Sequence, residues 1–171
     1  MRWNLLGVVS AVLAFASLAL PWWVITVSSS TYTYGLGTLK FYPWGVTGGW
    51  AVMGGYGLAI YSALVLMAVS GVLGLTGGLR TKNRGRTFVL AAAITAILAV
   101  VVFPVAMQSF ISDTFISVNS LFYSGMYAEG YTASAYLSLG FWLALVSAII
   151  AFLAYLGYPK TAKAIAPAKS V

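Results

Sequence analysis

Residues 18–44, LALPWWVITVSSSTYTYGLGTLKFYPW, change from a continuous apolar run to an alternating pattern. Up to Trp22 and Trp23 the run is typical of a membrane-spanning helix. Beyond them, in the segments 24–34 and 38–44, larger side chains alternate with small or polar ones, and this period of two is typical of β-strands. A glycine-containing turn separates the two segments, so the sequence predicts a β-hairpin.

The composition is that of an integral membrane protein. Of the 171 residues, 61% are hydrophobic and 6% are charged, and the mean hydropathy is +0.96; a soluble domain carries roughly 25% charged residues. Residues 5–26, 51–79, 87–107 and 133–158 each provide the about 20 apolar residues that a helix needs to cross a bilayer. We predict an all-α integral membrane fold: one domain, residues 1–158, forming an antiparallel bundle of four transmembrane helices with a small extracellular β-hairpin or sheet in the first outer loop.

The first apolar stretch has an alternative interpretation. Arg2, the apolar run and the small-residue sequence AFA at 14–16 also resemble a secretory signal peptide. However, the run continues past Ala16 through SLALPWWVIT, which is longer than the apolar region of a signal peptide. Its length favours a helix that is retained in the protein.

The charged residues predict the orientation of the helices. A short inner loop, residues 80–86, carries four positive charges in the sequence RTKNRGR. Such a loop is cytoplasmic by the positive-inside rule. The basic residues that set this topology are Arg80, Lys82, Arg84 and Arg86.

An even number of spans places both termini on the cytoplasmic side. The outer loops, residues 27–50 and 108–132, then lie on the opposite side of what we expect to be the plasma membrane. The basic tail, residues 159–171, is rich in alanine, proline and lysine and is expected to be disordered near anionic headgroups.

The outer loops are expected to form a contact surface. Two strands alone are marginal in water, so the hairpin must pack on residues 45–50, on the second outer loop or on a neighbouring molecule. Pro43 is expected to end the second strand or to confine it to an edge of the sheet. The second outer loop has near-helical apolar spacing and is expected to extend the third helix or to lie at the membrane interface. The predicted interaction residues are Tyr32, Tyr34, Gly35, Leu36, Phe41 and Tyr42.

Tryptophans and glycines predict two further features. Tryptophans near the predicted outer ends of the spans are expected to anchor at headgroup level. The second stretch contains SGVLGLTGGL, whose small residues allow close helix approach in lipid. The short loops favour packing of this face within the chain, and docking on another subunit is the alternative. The anchors are Trp22, Trp23, Trp44 and Trp50, and the packing residues are Gly71, Gly74 and Gly78.

Several function classes are disfavoured by composition. The chain has no cysteine or histidine, and its only carboxylates, Asp113 and Glu129, lie in one outer loop. We therefore expect no enzyme activity, no cofactor and no metal site. No aspartate, glutamate, lysine, arginine or histidine lies within a predicted span, which disfavours pumps and coupled carriers. The bases are too few and scattered for nucleic-acid binding.

The low content of asparagine and glutamine is a weaker indication, and it concerns the origin of the protein. The chain has three asparagines and one glutamine. Depletion of such thermolabile residues is a trend in heat-adapted proteins. Any membrane protein with several spans is also poor in polar residues, so a thermophilic origin and plain membrane composition explain the scarcity equally well.

The layout resembles the claudin and peripheral-myelin-protein superfamily of tetraspan membrane proteins. Trp22 or Trp23 matches the tryptophan that follows the first helix in that family, and Gly35-Leu36 matches its Gly-Leu pair. Gly37 stands where the family has a second tryptophan, and the chain lacks the two cysteines of that loop. The resemblance implies side-by-side association within one membrane and contact with an opposing surface through the outer loops.

Three functional hypotheses follow. The first is a non-enzymatic tetraspan protein, embedded in the lipid bilayer, that forms lateral or cell-surface assemblies with itself or with other membrane proteins through its extracellular loops. The second is a small accessory subunit of a respiratory, transport or viral-envelope complex, which docks through its glycine-rich second helix. A passive pore or a small-molecule enzyme is a third and weaker hypothesis, because ionisable groups are missing from the spans.

Overall fold

The computed structural model describes residues 4–29, 37–48, 58–80, 83–114, 120–128 and 130–158. The described chain is mostly helical, with one small antiparallel sheet. Its helices are α1 (Leu5–Leu18), α2 (Leu58–Leu79), α3 (Asn83–Thr114) and α4 (Leu139–Leu156). Its strands are β1 (Trp23–Ser29), β2 (Gly37–Tyr42), β3 (Gly45–Thr47), β4 (Tyr123–Ala128) and β5 (Tyr131–Leu137).

The helices pack in a cyclic order, since α1 contacts α2 and α4, and α3 contacts the same two helices. The strands lie at one end of the helices, the sheet end. The opposite end carries the α2–α3 connection and its arginines, and we call it the basic end. Within the described ranges, three segments are long and apolar enough to cross a membrane: Ile60–Leu79, Arg84–Ser112 and Leu139–Leu156.

The first helix is shorter than the predicted range of residues 5–26. It ends at Leu18, and with 14 residues it is about 21 Å long at 1.5 Å per residue. The chain then turns and enters β1 at Trp23. The prediction was wrong because Trp23, Val24 and Ile25 are buried in the sheet, and a buried strand has the same unbroken apolar sequence as a helix.

The other helix boundaries also move. The range 133–158 divides into strand β5 and helix α4. In β5 the buried Ala133 and Ala135 alternate with exposed neighbours. These neighbours are small or aromatic, so the sequence does not separate the strand from the helix that follows it. Helix α3 extends beyond 87–107 in both directions, so part of the predicted inner loop forms its first turn. The hydropathy of the sequence indicates only the apolar part of a helix. The backbone hydrogen bonds of α3 continue into the polar residues at both ends, so the helix is longer than predicted. The described part of α2 begins at Leu58, and residues 51–57 lie outside the description.

The sheet combines both predicted outer loops. Its order is β3-β2-β1-β5-β4, and all paired strands are antiparallel. The predicted hairpin of β1 and β2 is confirmed, with Ile25 opposite Leu39, and β2 ends directly before Pro43 as expected. The sheet is not confined to the first loop, because β5 pairs with β1 and places Ala135 on the other side of Ile25. The hairpin therefore packs on the short segment after Pro43 and on the second loop.

One face of the sheet is buried against the helices. Ile25 and Phe41 of the sheet belong to the same buried cluster as Met107 and Ile111 from the last turns of α3. The Phe41 ring also meets Phe110, with the two ring centroids 6.0 Å apart. The part of α3 beyond the predicted range of residues 87–107 therefore provides much of the surface on which the sheet rests. The opposite sheet face carries mostly exposed or half-exposed side chains.

Candidate functional site

The predicted interaction residues are only partly described. Phe41 is 2% exposed and packs edge-on against Trp23, so its prediction as a surface contact is wrong. Side chains alternate between the two faces of β2, and Phe41 lies on the buried face. The aromatic character of the residue does not indicate which face it occupies. Tyr42 is half-buried and stacks on Trp44, with ring centroids 4.6 Å apart. The described residues do not include Tyr32, Tyr34, Gly35 and Leu36.

The two adjacent tryptophans lie in the protein interior and not on its surface. Both are fully buried, and the indole N–H groups donate to the carbonyl oxygens of Ser17 and Leu121 respectively. Trp22 also makes an edge contact with Phe103 of α3 at 4.9 Å. The prediction that Trp22 and Trp23 contact headgroups is therefore wrong, because tertiary packing takes up both side chains.

Two other tryptophans at the sheet end are on the surface. Trp44 and Trp142 are each 47% exposed. Their indole N–H groups donate to the carbonyl oxygens of Leu18 and Leu137, respectively. Trp44 was predicted as an interface residue, whereas Trp142 was not singled out because it lies inside a predicted span. Trp50 is outside the described residues.

The glycine-rich face of α2 is occupied within the chain. A β-carbon on Gly74 would lie 3.2 Å from Ser10 Oγ, and one on Gly78 would lie 2.9 Å from the backbone nitrogen of Val8. At Gly71, an added β-carbon would meet the ring of Phe15. All these neighbours belong to α1, so the face is not free to dock on another subunit.

The basic end is closed by aromatic and carbonyl contacts. The Arg80 guanidinium lies 4.9 Å from the ring centroid of Phe88, and the Arg86 guanidinium lies 4.7 Å from that of Tyr155. The Tyr158 hydroxyl donates to the carbonyl oxygens of Gly77 and Arg80, which joins the end of α4 to the end of α2. Burial raises the pKa of this phenol. Arg84 is exposed, and Lys82 is outside the described residues.

The solvent face of the sheet carries a row of hydroxyl groups. Thr38, Thr26, Ser134 and Ser124 face one another in register across β2, β1, β5 and β4. The Thr26 and Thr38 hydroxyl oxygens are 3.2 Å apart. The alternation in residues 24–34 predicts the polar positions of β1, but the register that aligns four strands has no local sequence signal.

The β4 strand forms one edge of the sheet that the described residues build. Its sequence, YSGMYA, contains neither a charged residue nor proline, and its Met126 side chain is 72% exposed. An edge strand presents unpaired backbone N–H and C=O groups that can accept another strand. The opposite edge, β3, is only three residues long.

Among the described residues no three histidine, cysteine or carboxylate side chains form a group that could hold a metal ion. The chemistry that the described surface offers is strand pairing, hydroxyl hydrogen bonding and aromatic contact. No protein-family model matches the chain, and no curated protein matches it.

Proposed function

We propose that this protein is a non-enzymatic integral membrane protein that assembles laterally through its sheet. The helices support insertion in a bilayer, because large apolar side chains on their outer surfaces are exposed, such as Val65 at 58%, Val101 at 55% and Ile149 at 51%. Apolar area of this extent is unfavourable in water and favourable against lipid tails. The bilayer is thus the first partner of the chain.

The charge distribution supports an orientation in this proposal. Arg80, Arg84 and Arg86 lie at the basic end, which is then cytoplasmic. The sheet is extracellular, and Trp44 and Trp142 lie at the outer headgroup level, where amphipathic indoles are favoured. In this proposal Trp44 keeps the anchoring role that the sequence predicted for it, and Trp142 replaces the buried pair.

The observation that carries the proposal is the uncharged β4 edge. Soluble proteins protect such edges with charges, prolines, bulges or coverage, because an open edge pairs with other strands. The register of β4 shifts only after Met126, so residues 123–126 keep a regular edge. A second copy of this chain presents the same uncharged β4 strand, and two such strands can pair antiparallel about a two-fold axis. The pairing joins two five-stranded sheets into one continuous sheet between neighbouring molecules.

Crosslinking of the protein in phospholipid nanodiscs and proteoliposomes tests this pairing. The chain has no cysteine, so Met126→Cys introduces a single thiol at the β4 edge. We expect a short thiol-to-thiol crosslinker to give dimers from this variant. The matched control is Thr47→Cys on β3, which is also exposed and should remain monomeric.

A charge placed at the edge gives the second arm of the test. Met126→Lys puts a like charge on each of the two β4 strands of the paired state, so we expect it to lower the dimer fraction at least about tenfold, which corresponds to about 1.4 kcal/mol. Thr47→Lys adds the same charge on the other edge and should leave the dimer intact. Single-molecule photobleaching with a terminal fluorophore counts the dimers of these cysteine-free proteins in both lipid systems. Monomers for the unaltered protein in both systems, or equal dimer fractions for the two lysine variants, would refute pairing through β4.

A further inference from the structure

A groove of about 330 Å³ crosses the solvent face of the sheet over β1, β5 and β4. This volume is at the lower end of the range for small-molecule sites, about 300–1,000 Å³. It lies on the face of the sheet, whereas the proposed pairing uses its edge. The groove is lined by the hydroxyl side chains of Thr26, Ser28, Ser124, Thr132 and Ser134 and by Gly125.

The hydroxyl groups form a regular grid. Thr26 and Ser124 both face Ser134 from the neighbouring strands, and Ser28 faces Thr132 in the next row. Neighbours across strands are about 5 Å apart, and rows along a strand are about 7 Å apart. Ser28, Ser124, Thr132 and Ser134 donate to no other described residue, so their hydroxyl groups are available to a ligand.

The charge of the groove restricts its ligand. All its lining residues are neutral, and the described charge on the same sheet face, Lys40, lies on β2 opposite Val24 and outside the groove. A charged ligand would lose hydration without gaining an opposite charge. A hydroxyl group both donates and accepts hydrogen bonds, so the grid suits a neutral ligand that carries several hydroxyl groups of its own.

Two exposed aromatic side chains lie beyond one end of the groove. Tyr136, two residues after Ser134 on the same face, is 47% exposed, and Phe122, which precedes β4, is 61% exposed. Phe122 is at the Tyr136 end because its neighbour Tyr123 faces Ala135. Exposed rings offer apolar faces beside the hydroxyl grid. Neutral sugars have this same combination, with hydroxyl groups around the ring and C–H groups on its faces.

We propose that the groove binds a neutral glycosyl residue. Thr132 and Ser134 on the central strand β5 hydrogen-bond the sugar hydroxyl groups, and Tyr136 packs against the ring. The sugar is either part of a soluble or surface glycan or the headgroup of a glycolipid in the same membrane. The ligand is a neutral sugar in each case, and the experiment distinguishes the two sources.

The test uses the full chain in phospholipid nanodiscs, purified in a detergent without a sugar headgroup, because maltoside or glucoside detergents would compete for the groove. Saturation-transfer NMR is recorded with methyl α-mannoside, methyl β-glucoside, maltotriose and N,N′-diacetylchitobiose. We expect saturable binding of at least one sugar, with a Kd of roughly 1 mM. Nanodiscs that contain monoglucosyl diacylglycerol distinguish the source, since weaker binding of soluble glucoside there shows that the lipid headgroup occupies the groove.

Substitutions test whether the sugar binds in this groove and not elsewhere on the protein. Thr132→Val with Ser134→Val removes two hydroxyl groups, keeps strand-favouring side chains and should weaken binding at least tenfold. Thr47→Val removes an exposed hydroxyl on β3, outside the groove, and should bind as the unaltered protein does. Tyr136→Leu gives a second test that keeps the hydroxyl grid and should also weaken binding. Circular dichroism checks that each variant folds.

Two outcomes would overturn the proposal: no binding of any sugar in the panel, or equal binding by the Thr132/Ser134 variant and the Thr47 variant. Failure of the groove and failure of edge pairing are distinguishable. The Thr132/Ser134 variant is altered on β5 and not on the β4 edge, so it should lose sugar binding and still form dimers, whereas sugar binding by a protein that stays monomeric would refute edge pairing alone.

Discussion

Gly7 of α1 and Gly78 of α2 bring two helix backbones into direct contact: a β-carbon added to Gly7 would lie 3.1 Å from the Cα atom of Gly78. The backbone nitrogen of Asn4 also donates to the carbonyl oxygen of Gly78 at 2.9 Å. Small residues permit this approach in an apolar environment, where packing and hydrogen bonds hold helices together. The short helix α1 is thus joined to α2 near the basic end.

Gly78→Ala should destabilise the protein, because its β-carbon would lie 2.9 Å from the Val8 backbone nitrogen. Overpacking of this kind costs about 1–3 kcal/mol. The measurement is the free energy of unfolding in mixed micelles by titration with dodecyl sulfate. Gly45→Ala is the matched control, since a β-carbon at Gly45 would have no neighbour within 4 Å. Equal stability of the two variants would show that α1 and α2 are farther apart than described.

Trp22→Ala should cause one of the largest losses of stability in the chain. The Trp22 ring is fully buried between Phe103 and Phe141, at centroid distances of 4.9 and 6.0 Å, and its N–H donates to Ser17. Truncation of a buried tryptophan costs about 3–5 kcal/mol. Trp44→Ala should cost less, because that ring is half-exposed. The same unfolding titration measures both, and a larger loss at Trp44 would contradict the interior position of Trp22.

Tyr158 should make stability fall at high pH. Burial raises the pKa of its phenol above the ordinary value of 10.0, so the folded protein holds this proton more tightly than the unfolded chain does. The stabilisation is complete below pH 10 and is lost as the pH rises from 10 to the folded pKa.

Tyr158→Phe isolates this contribution. At neutral pH the variant should be about 1–2 kcal/mol less stable, because the hydrogen bonds to Gly77 and Arg80 are lost. The gap should narrow above pH 10 as the unaltered protein loses its advantage. Unfolding midpoints between pH 8 and pH 11.5 give both curves, and curves that stay parallel across this range would exclude the tyrosine as the cause.

The sequence predicts the locally encoded part of the fold. The alternation in residues 24–34 and 38–44 with a glycine between them indicates the β1–β2 hairpin, and Pro43 marks its end, because turn chemistry and side-chain period are local properties. The apolar lengths also indicate four helices. The sequence overestimates α1, because the buried strand that follows it is as apolar as a helix.

Non-local pairing is not locally encoded. Strand β1 pairs with β2 along one edge and with β5, which is far along the chain, along the other. Ile25 and Ala135, which face each other in this second pairing, are both buried, and no sequence motif marks them as partners. The interior position of Trp22 also depends on non-local contacts. Its ring is buried by Phe103 and Phe141, which come from helices far along the chain, and the local sequence does not reveal these contacts. The hydroxyl groove depends on this pairing and for that reason could not be predicted.

Thr26→Cys with Ser134→Cys should form a disulfide that links the two loops of the chain. These residues face each other across β1 and β5, at about 4.5–5.5 Å between Cα atoms, within the range that a disulfide spans. The bond closes a loop of more than about 100 residues, so it should stabilise the protein by up to about 4.7 kcal/mol. The matched control is Thr38→Cys with Ser134→Cys, whose positions lie two strands apart at about 9.5 Å, too far to bridge. Mass spectrometry of tryptic peptides identifies the bond. If residues 19–26 continued α1 as a helix, as their hydropathy predicts, Thr26 would not face Ser134, and neither pair would crosslink.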